Sequence, residues 1–202
     1  MAYVLGFFAA DGYITHNKRG ADYWCIEIKD RDLLEKMKSV IGSGHKISIR
    51  RTGLYRLQVG SKEMCKDLER LGFGPDKTRS LAVPHVPAYY LRDFVRGYFD
   101  GDGCVWTGAG HTDRLKPSHD IRVIFTSCSA AFLTELRHRL RLHFILGGPL
   151  RRGNGDFCRL TYSSTSSLKM HGFMYNHPVL KSDSLFLQRK RKIFEDFISM
   201  RS

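Results

Sequence analysis

The sequence predicts an α+β fold made of two copies of one αββαββα plan, and three observations predict it. A glycine-notched apolar segment, VLGFFAADG at residues 4–12, recurs as VRGYFDGDG at residues 95–103, with the glycines and the final acid in register. After each copy the hydrophobic period switches in the same order between two residues, as in a half-buried strand, and 3.6 residues, as in a helix packed on one side. Between the copies lies GPDKTRSLAVPHVP, whose three prolines interrupt regular structure. The chain therefore divides into a first repeat at residues 1–75, a linker at 76–88 and a second repeat at 89–202.

In the first repeat the apolar helix is followed by a short extended piece, YIT, and then by YWCIEIK, where Trp24, Ile26 and Ile28 alternate with Tyr23, Cys25, Glu27 and Lys29. That alternation predicts a strand with one wet face. DRDLLEKMKSVIG has helical spacing and a terminal glycine. HKISIRR and LYRLQVG alternate as two strands around Thr52-Gly53, a hairpin turn. SKEMCKDLERLG is a helix with Ser61 at the capping position ahead of Met64, and it closes on Gly72. The second repeat follows suit: LRDFVRGYFDGDG, CVW, DIRVIFTS, SAAFLTELRHRLRLHF, the pair GGPLRRG and FCRLTYS, and SSTSSLKMHGFMY. Its tail, SDSLFLQRKRKIFEDFISM, predicts a final helix. TGAGHTDRLKPSHD reads as a polar loop inserted after the first strand.

The 202 residues carry 33 Lys+Arg against 20 Asp+Glu, a net charge of +13, and both halves are basic. Such a balance throughout a chain points to a polyanionic partner. Five cysteines, odd in number and never in a CxxC pair, argue for a reducing compartment and against structural zinc. No apolar run approaches the roughly 20 residues a bilayer requires, and no basic segment precedes the apolar residues 3–10 as a secretory signal would need. The expected setting is intracellular, in the cytoplasm or nucleoid of a microbe or in an organelle, with no membrane partner.

Where the apolar parity of each strand faces helices, the other parity forms an open sheet face. On it fall Lys46, Ser48, Arg50, Arg56 and Gln58 in the first repeat, and Arg122, Thr126, Arg159 and Thr161 in the second, with almost no acids. Tyr13, Thr15, Lys29, Trp106 and Arg151 complete the set of expected nucleic-acid contacts. Arginines suit guanine and Gln58 suits adenine in the major groove. Because the two halves differ at these positions, the expected target is long and asymmetric, roughly one helical turn per half.

Gly6 and Ala10 lie four apart, as do Gly97 and Gly101, so each apolar helix carries a stripe of small residues along which two backbones can approach. Helices paired there would bring Asp11 and Asp102 together at their C-terminal ends. Those ends already bear partial negative charge and unpartnered carbonyls, so a cation is required. The two carboxylates, with the carbonyls of Ala10 and Gly101, are hard oxygen donors suited to Mg²⁺. Gly12 and Gly103 are expected to end the helices in the left-handed conformation.

VLGFFAADG and VRGYFDGDG resemble the two motifs of the single-chain, two-repeat LAGLIDADG homing endonucleases. The resemblance covers nearly the whole chain, and LGFGPDKTRSLAVPHVP running into LRDFVRGYFDGDG is also typical of that family. It implies a pseudo-twofold helix pair at the interface of the repeats and a saddle-shaped antiparallel sheet surface over double-stranded DNA. It also implies a monomer that hydrolyses both strands with Mg²⁺, with Mn²⁺ as a substitute and Ca²⁺ supporting binding only. The last acid of each motif, here Asp11 and Asp102, is the essential one in the family; the preceding motif position holds Ala9 in the first copy and Asp100 in the second. The family places a lysine near each active site, matching Lys77 in GPDKT and Lys190 in FLQRKRK, and often a polar residue contacting active-site water, matching Asp30 and Ser127. Such genes move with introns or inteins. Two alternatives share the scaffold: a maturase that binds intron RNA, and a DNA-binding regulator without catalysis. The chain starts three residues before the first motif, so a short N-terminal piece is expected to be missing.

Overall fold

The computed structural model describes residues 1–75, 77–110, 118–176 and 184–201. The chain forms two compact units, Met1–Gly101 and Asp102–Ser202. In the first, α1 (Ala2–Asp11) is followed by β1 (Gly12–His16), β2 (Asp22–Ile28), α2 (Arg31–Val40), β3 (Ile47–Ile49), β4 (Tyr55–Gly60), α3 (Lys62–Arg70) and a short α4 (Lys77–Ser80). Helix α5 (Leu91–Asp102) opens the second sequence repeat, yet all but its last residue belongs to this first unit. The second unit continues with β5 (Gly103–Gly110), β6 (Ser118–Ser127), α6 (Ala130–Leu142), β7 (Leu150–Arg152), β8 (Cys158–Tyr162), α7 (Ser164–Tyr175) and α8 (Gln188–Ser199). Each unit holds one antiparallel four-stranded sheet, ordered β1-β2-β4-β3 in one and β5-β6-β8-β7 in the other, so the duplicated α+β plan is real.

Local chemistry sets the elements. The side chain of Ser61 accepts from the Met64 backbone N–H at 3.2 Å and that of Ser129 from Phe132 at 3.2 Å, which starts α3 and α6. Gly53, at φ 79°, turns the hairpin between β3 and β4. One face of each sheet packs on helices: Trp24, Ile26, Ile28, Leu57 and Val59 are buried with Leu33, Leu34 and Met37 of α2. In the second unit Ile121, Val123, Phe125, Leu160 and Tyr162 are buried with Phe132, Leu133, Leu136 and Leu140 of α6. No helix among the described residues is long and apolar enough to cross a membrane.

Helix α1 is buried nearly all round, and its glycine is a point of backbone contact. A Cβ on Gly6 would be driven into the carbonyl oxygen of Phe94, and a Cβ on Gly97 into that of Tyr3. Each glycine thus receives the carbonyl of the residue three places before the other glycine, a reciprocal contact that only hydrogen side chains permit. The Tyr3 hydroxyl donates to Asp100 Oδ2 at 2.7 Å, so the extra acid of the second motif lies in this helix pair. Arg96, also buried, pairs with Asp93 and lies 5.5 Å from the centre of the Tyr3 ring.

Four sequence expectations change. Gly12 is extended, at φ −81° and ψ 156°, rather than left-handed, and Gly103 opens strand β5 without a positive φ. What selects glycine at position 12 is space, because a Cβ there would collide with the Phe8 ring. Half of the insertion after CVW is strand: β5 and β6 pair out to Gly110 and Ser118, and residues 111–117 of it lie outside the described residues. Gly108 and Gly110 make this extension possible by leaving room for the Trp106 indole and the Asp120 carboxylate. Cys25, placed by parity on the wet face, is fully buried beside its cross-strand partners Tyr13 and Gln58, and burial raises its thiol pKa. The proline-rich linker, finally, contains the helical turn α4.

Two predictions follow from the packing. Gly97→Ala gains about 1 kcal/mol of helix propensity but forces two backbones apart, so denaturant unfolding should show a net loss of about 2 kcal/mol or more. His171 of α7 is buried between the rings of Tyr175 and Phe194, 5.3 and 5.1 Å away, and its Nε2 has no hydrogen-bond partner among the described residues. Burial, reinforced by the Arg191 cation and opposed by Glu195, lowers its pKa below 6.5. The stability this neutral ring contributes is present above pH 6.5 and lost as pH falls through the lowered pKa. His171→Phe should therefore show a smaller fall in melting temperature than the parent when both are titrated from about pH 7 to about pH 5.

Candidate functional site

Asp11 is the last residue of α1 and Asp102 the last of α5, and both are exposed. Gly101 lies against the end of α1: a Cβ on it would strike the Ala10 methyl group and stand 3.1 Å from Asp11 Oδ2. The second pair of small residues, Ala10 and Gly101, therefore meets at the acidic end just as Gly6 and Gly97 serve the helix body.

Each motif helix ends on a buried lysine. Lys77, on the first turn of α4 and only 7% exposed, donates from Nζ to the carbonyl of Ala9 at 2.8 Å and, at 3.4 Å, reaches that of Ala10. Its ammonium also lies 5.8 Å from the centre of the Phe8 ring. In the second unit Lys190, on α8 and likewise 7% exposed, donates to the Gly103 carbonyl at 2.6 Å. The last carbonyls of a helix lack intrahelical partners and carry partial negative charge, so an ammonium there meets both needs. RKRK is thus not merely a solvated helix face: Lys190 points inward while Lys192 is exposed and pairs with Asp196.

Of the two polar residues matched beside the acids, Asp30 caps the start of α2, its carbonyl accepting from Leu34. Ser127 is buried and its hydroxyl accepts from the Ser129 N–H at 3.1 Å, inside the turn that leads into α6. Among the described residues no three His, Cys, Asp or Glu side chains converge as a self-contained metal cluster.

The expected DNA-contacting residues fall on one open face in each sheet. In the first, the register places Tyr13, Cys25 and Gln58 in one cross-strand row and Glu27, Arg56 and Ser48 in the next, with Thr15 opposite Tyr23. Lys29, Lys46 and Arg50 continue this parity just past the strand ends and are exposed. In the second, Trp106 pairs with Arg122, and Thr126, Arg159 and Arg151 form a row, with Thr161 opposite Ile124. Arg122 lies 5.2 Å from the Trp106 ring and Arg159 lies 5.0 Å from Phe157.

Two acids on these faces escape a reading by composition. Glu27 Oε1 accepts from the Tyr13 hydroxyl at 2.8 Å and forms an ion pair with Arg50, 3.3 Å from its Nε. Asp120 lies 3.8 Å from Arg122. The alternation in YWCIEIK signals that Glu27 is on the wet face, but its partners come from β1 and from beyond β3, which only the register reveals. Burial, then the Glu27 bond, pushes the Tyr13 pKa up to about 12, so its hydroxyl stays protonated and donating.

Comparison with known proteins adds to this geometry. Residues 1–72 match the family described as LAGLIDADG-like domain. Over those residues the chain belongs to the LAGLIDADG-like domain family. Its fold is that of solved LAGLIDADG meganucleases. It is similar to I-AabMI bound to uncleaved DNA, with a TM-score of 0.66 at 18% identity over 98% of this chain and 88% of that one. The I-LtrWI homing endonuclease bound to target DNA gives 0.62 at 14% identity, covering 98% and 88%. I-SmaMI bound to uncleaved DNA in the presence of calcium ions also gives 0.62 at 14%, covering 98% and 89%. A probable translation initiation factor IF-2 from Thermococcus kodakarensis is 31% identical over 155 residues, which is 72% of this chain. The chain spans 12% of that relative's length.

Lys77→Met keeps the aliphatic stem but leaves the Ala9 carbonyl without its donor. Its expected effect is a loss of about 1–3 kcal/mol in denaturant unfolding, and unchanged stability would show that the helix end does not need the ammonium.

Proposed function

We propose that this chain is a site-specific DNA endonuclease that cuts both strands of a long, asymmetric duplex target with a divalent cation. The observation that carries this reading is the fit of Gly101 against Ala10 and Asp11, because Asp102 is the next residue of the same helix. A shared stripe of small residues thereby supplies one exposed carboxylate from each motif. Relatives of the same fold solved on DNA, one of them with calcium ions, support the substrate class.

The donor set fits a hard cation. Asp11 and Asp102, with backbone carbonyls at the helix ends, offer oxygen ligands only, as Mg²⁺ prefers, with water and phosphate completing its shell. Mn²⁺ is the expected substitute, and Ca²⁺ is expected to support binding without turnover. When bound, the cation would lower the pKa of a ligated water and neutralise charge at the scissile phosphate. The chain's own residues do the rest. Asp11 and Asp102, at the C-terminal ends of α1 and α5, would hold the cation. Lys77 and Lys190, fixed by the carbonyls they bond, add positive charge behind those ends, where it can stabilise a pentacoordinate phosphate or order nearby water.

Recognition falls to the open sheet faces. Lysines and arginines there neutralise phosphates, and the row residues reach base edges. Arg50, Arg56, Arg122 and Arg159 suit guanine and Gln58 suits adenine. Since the rows of the two sheets hold different residues, the preferred site is not a palindrome.

Asp11→Asn and Asp102→Asn each keep side-chain size and remove a charged ligand. Incubated with a randomised duplex library in Mg²⁺, each should lose at least about a hundredfold in double-strand cleavage, on the scale of removing a group that acts on the transition state, while still retaining DNA in Ca²⁺. Undiminished cutting by either variant would refute the assignment.

A further inference from the structure

We infer that Glu27 is a positioning residue for base recognition: it holds Arg50 so that only the two terminal nitrogens of the guanidinium are offered to a base edge. The inference rests on the reading of the open faces as DNA-binding, and it explains an acid on a surface otherwise suited to phosphate. A carboxylate facing a polyanion opposes binding at every sequence, so its presence calls for a role in selectivity rather than in affinity.

The geometry is specific. Glu27 is 19% exposed and Arg50 47%, so the acid sits in the face while the arginine stands out from it. One carboxylate oxygen, Oε1, accepts from the Tyr13 hydroxyl at 2.8 Å and lies 3.3 Å from Arg50 Nε in an ion pair. Tyr13 fixes the acceptor, and the acceptor fixes the arginine. Arg56 stands directly across the strand pair from Glu27 and keeps positive charge on its other side. With Nε turned toward the Glu27 carboxylate, the side-on use of Nε and one terminal nitrogen is disfavoured, and the end-on use of both terminal nitrogens is left, which matches the paired acceptors N7 and O6 of guanine. An arginine held this way has less rotamer freedom to lose on binding.

The second unit pairs an acid with an arginine differently: Asp120 is 19% exposed and Arg122 47%, and it is a terminal nitrogen, Nη2, rather than Nε, that lies 3.8 Å from Asp120 Oδ2. Here the acid is anchored by the Ser118 hydroxyl, which donates to Oδ1 at 3.0 Å, and the guanidinium also rests on the Trp106 ring. Because the indole shares the positioning, Asp120→Asn should have a smaller effect than Glu27→Gln.

The test selects randomised DNA duplexes on the full chain in Ca²⁺ and reads base preference at every position for the parent, Glu27→Gln, Arg50→Lys and the double variant. Glutamine retains an acceptor for Tyr13, so the face stays intact. Glu27→Gln should lower the preference for guanine at one base pair by at least about fivefold, with non-specific retention equal to or above the parent's. Arg50→Lys should affect the same base pair, and adding Glu27→Gln to it should change little further. The inference is overturned if the two single variants affect different base pairs, if Glu27→Gln leaves the profile unchanged, or if it weakens all sequences alike. A parent chain with no sequence preference would instead overturn the DNA-binding reading and this inference with it.

Discussion

The structure depends on two helix backbones in contact. Gly6 and Gly97 each receive a carbonyl oxygen from the opposing helix, and neither position has room for a methyl group. Close approach of this kind is a steric device. It needs no charge and no hydrogen bond, and it sets the spacing of α1 and α5 along their length. The same pair of helices then delivers Ala10 against Gly101 and leaves the two motif acids at the helix ends. Tyr3 and Asp100 add a buried hydrogen bond across the pair, which resists sliding of one helix along the other.

Charge is arranged around that constraint in layers. Helix ends that carry acids are electrostatically unfavourable by themselves, and a buried ammonium lies behind each one, bonded to the carbonyls of Ala9 and Ala10 or of Gly103. These bonds hold the lysines in place as firmly as they cap the helices, so position and stability come from the same contacts. On the open faces, by contrast, cations stand out into solvent on side chains whose freedom is limited only locally, by Glu27, Asp120 or an aromatic ring.

Much of this was legible from residue order. Period-2 alternation gave the strands, Ser61 stands at a real helix start, and Thr52-Gly53 is a real turn, because each depends on neighbours within a few residues. The stripe of small residues foretold the helix contact because spacing along a helix is a matter of geometry alone. Long-range bonds were not legible: Lys77 and Lys190 reach carbonyls 68 and 87 residues away, and only family resemblance marked them. The strand extension beyond Trp106 was hidden because Gly108 and Gly110 carry no hydrophobic signal, their purpose being to leave space. Gly12 misled for the same reason, since a glycine chosen for room looks like one chosen for a left-handed turn.

Duplication leaves its two copies under unequal restraint. Any change at the notch is answerable to two helices at once, whereas a change on an open strand face is answerable to one sheet. Mutational drift can therefore rewrite the strand face of one sheet while the other sheet and the paired helices stand still, so that new surface chemistry is reachable by single steps in a chain whose architecture has no freedom to follow.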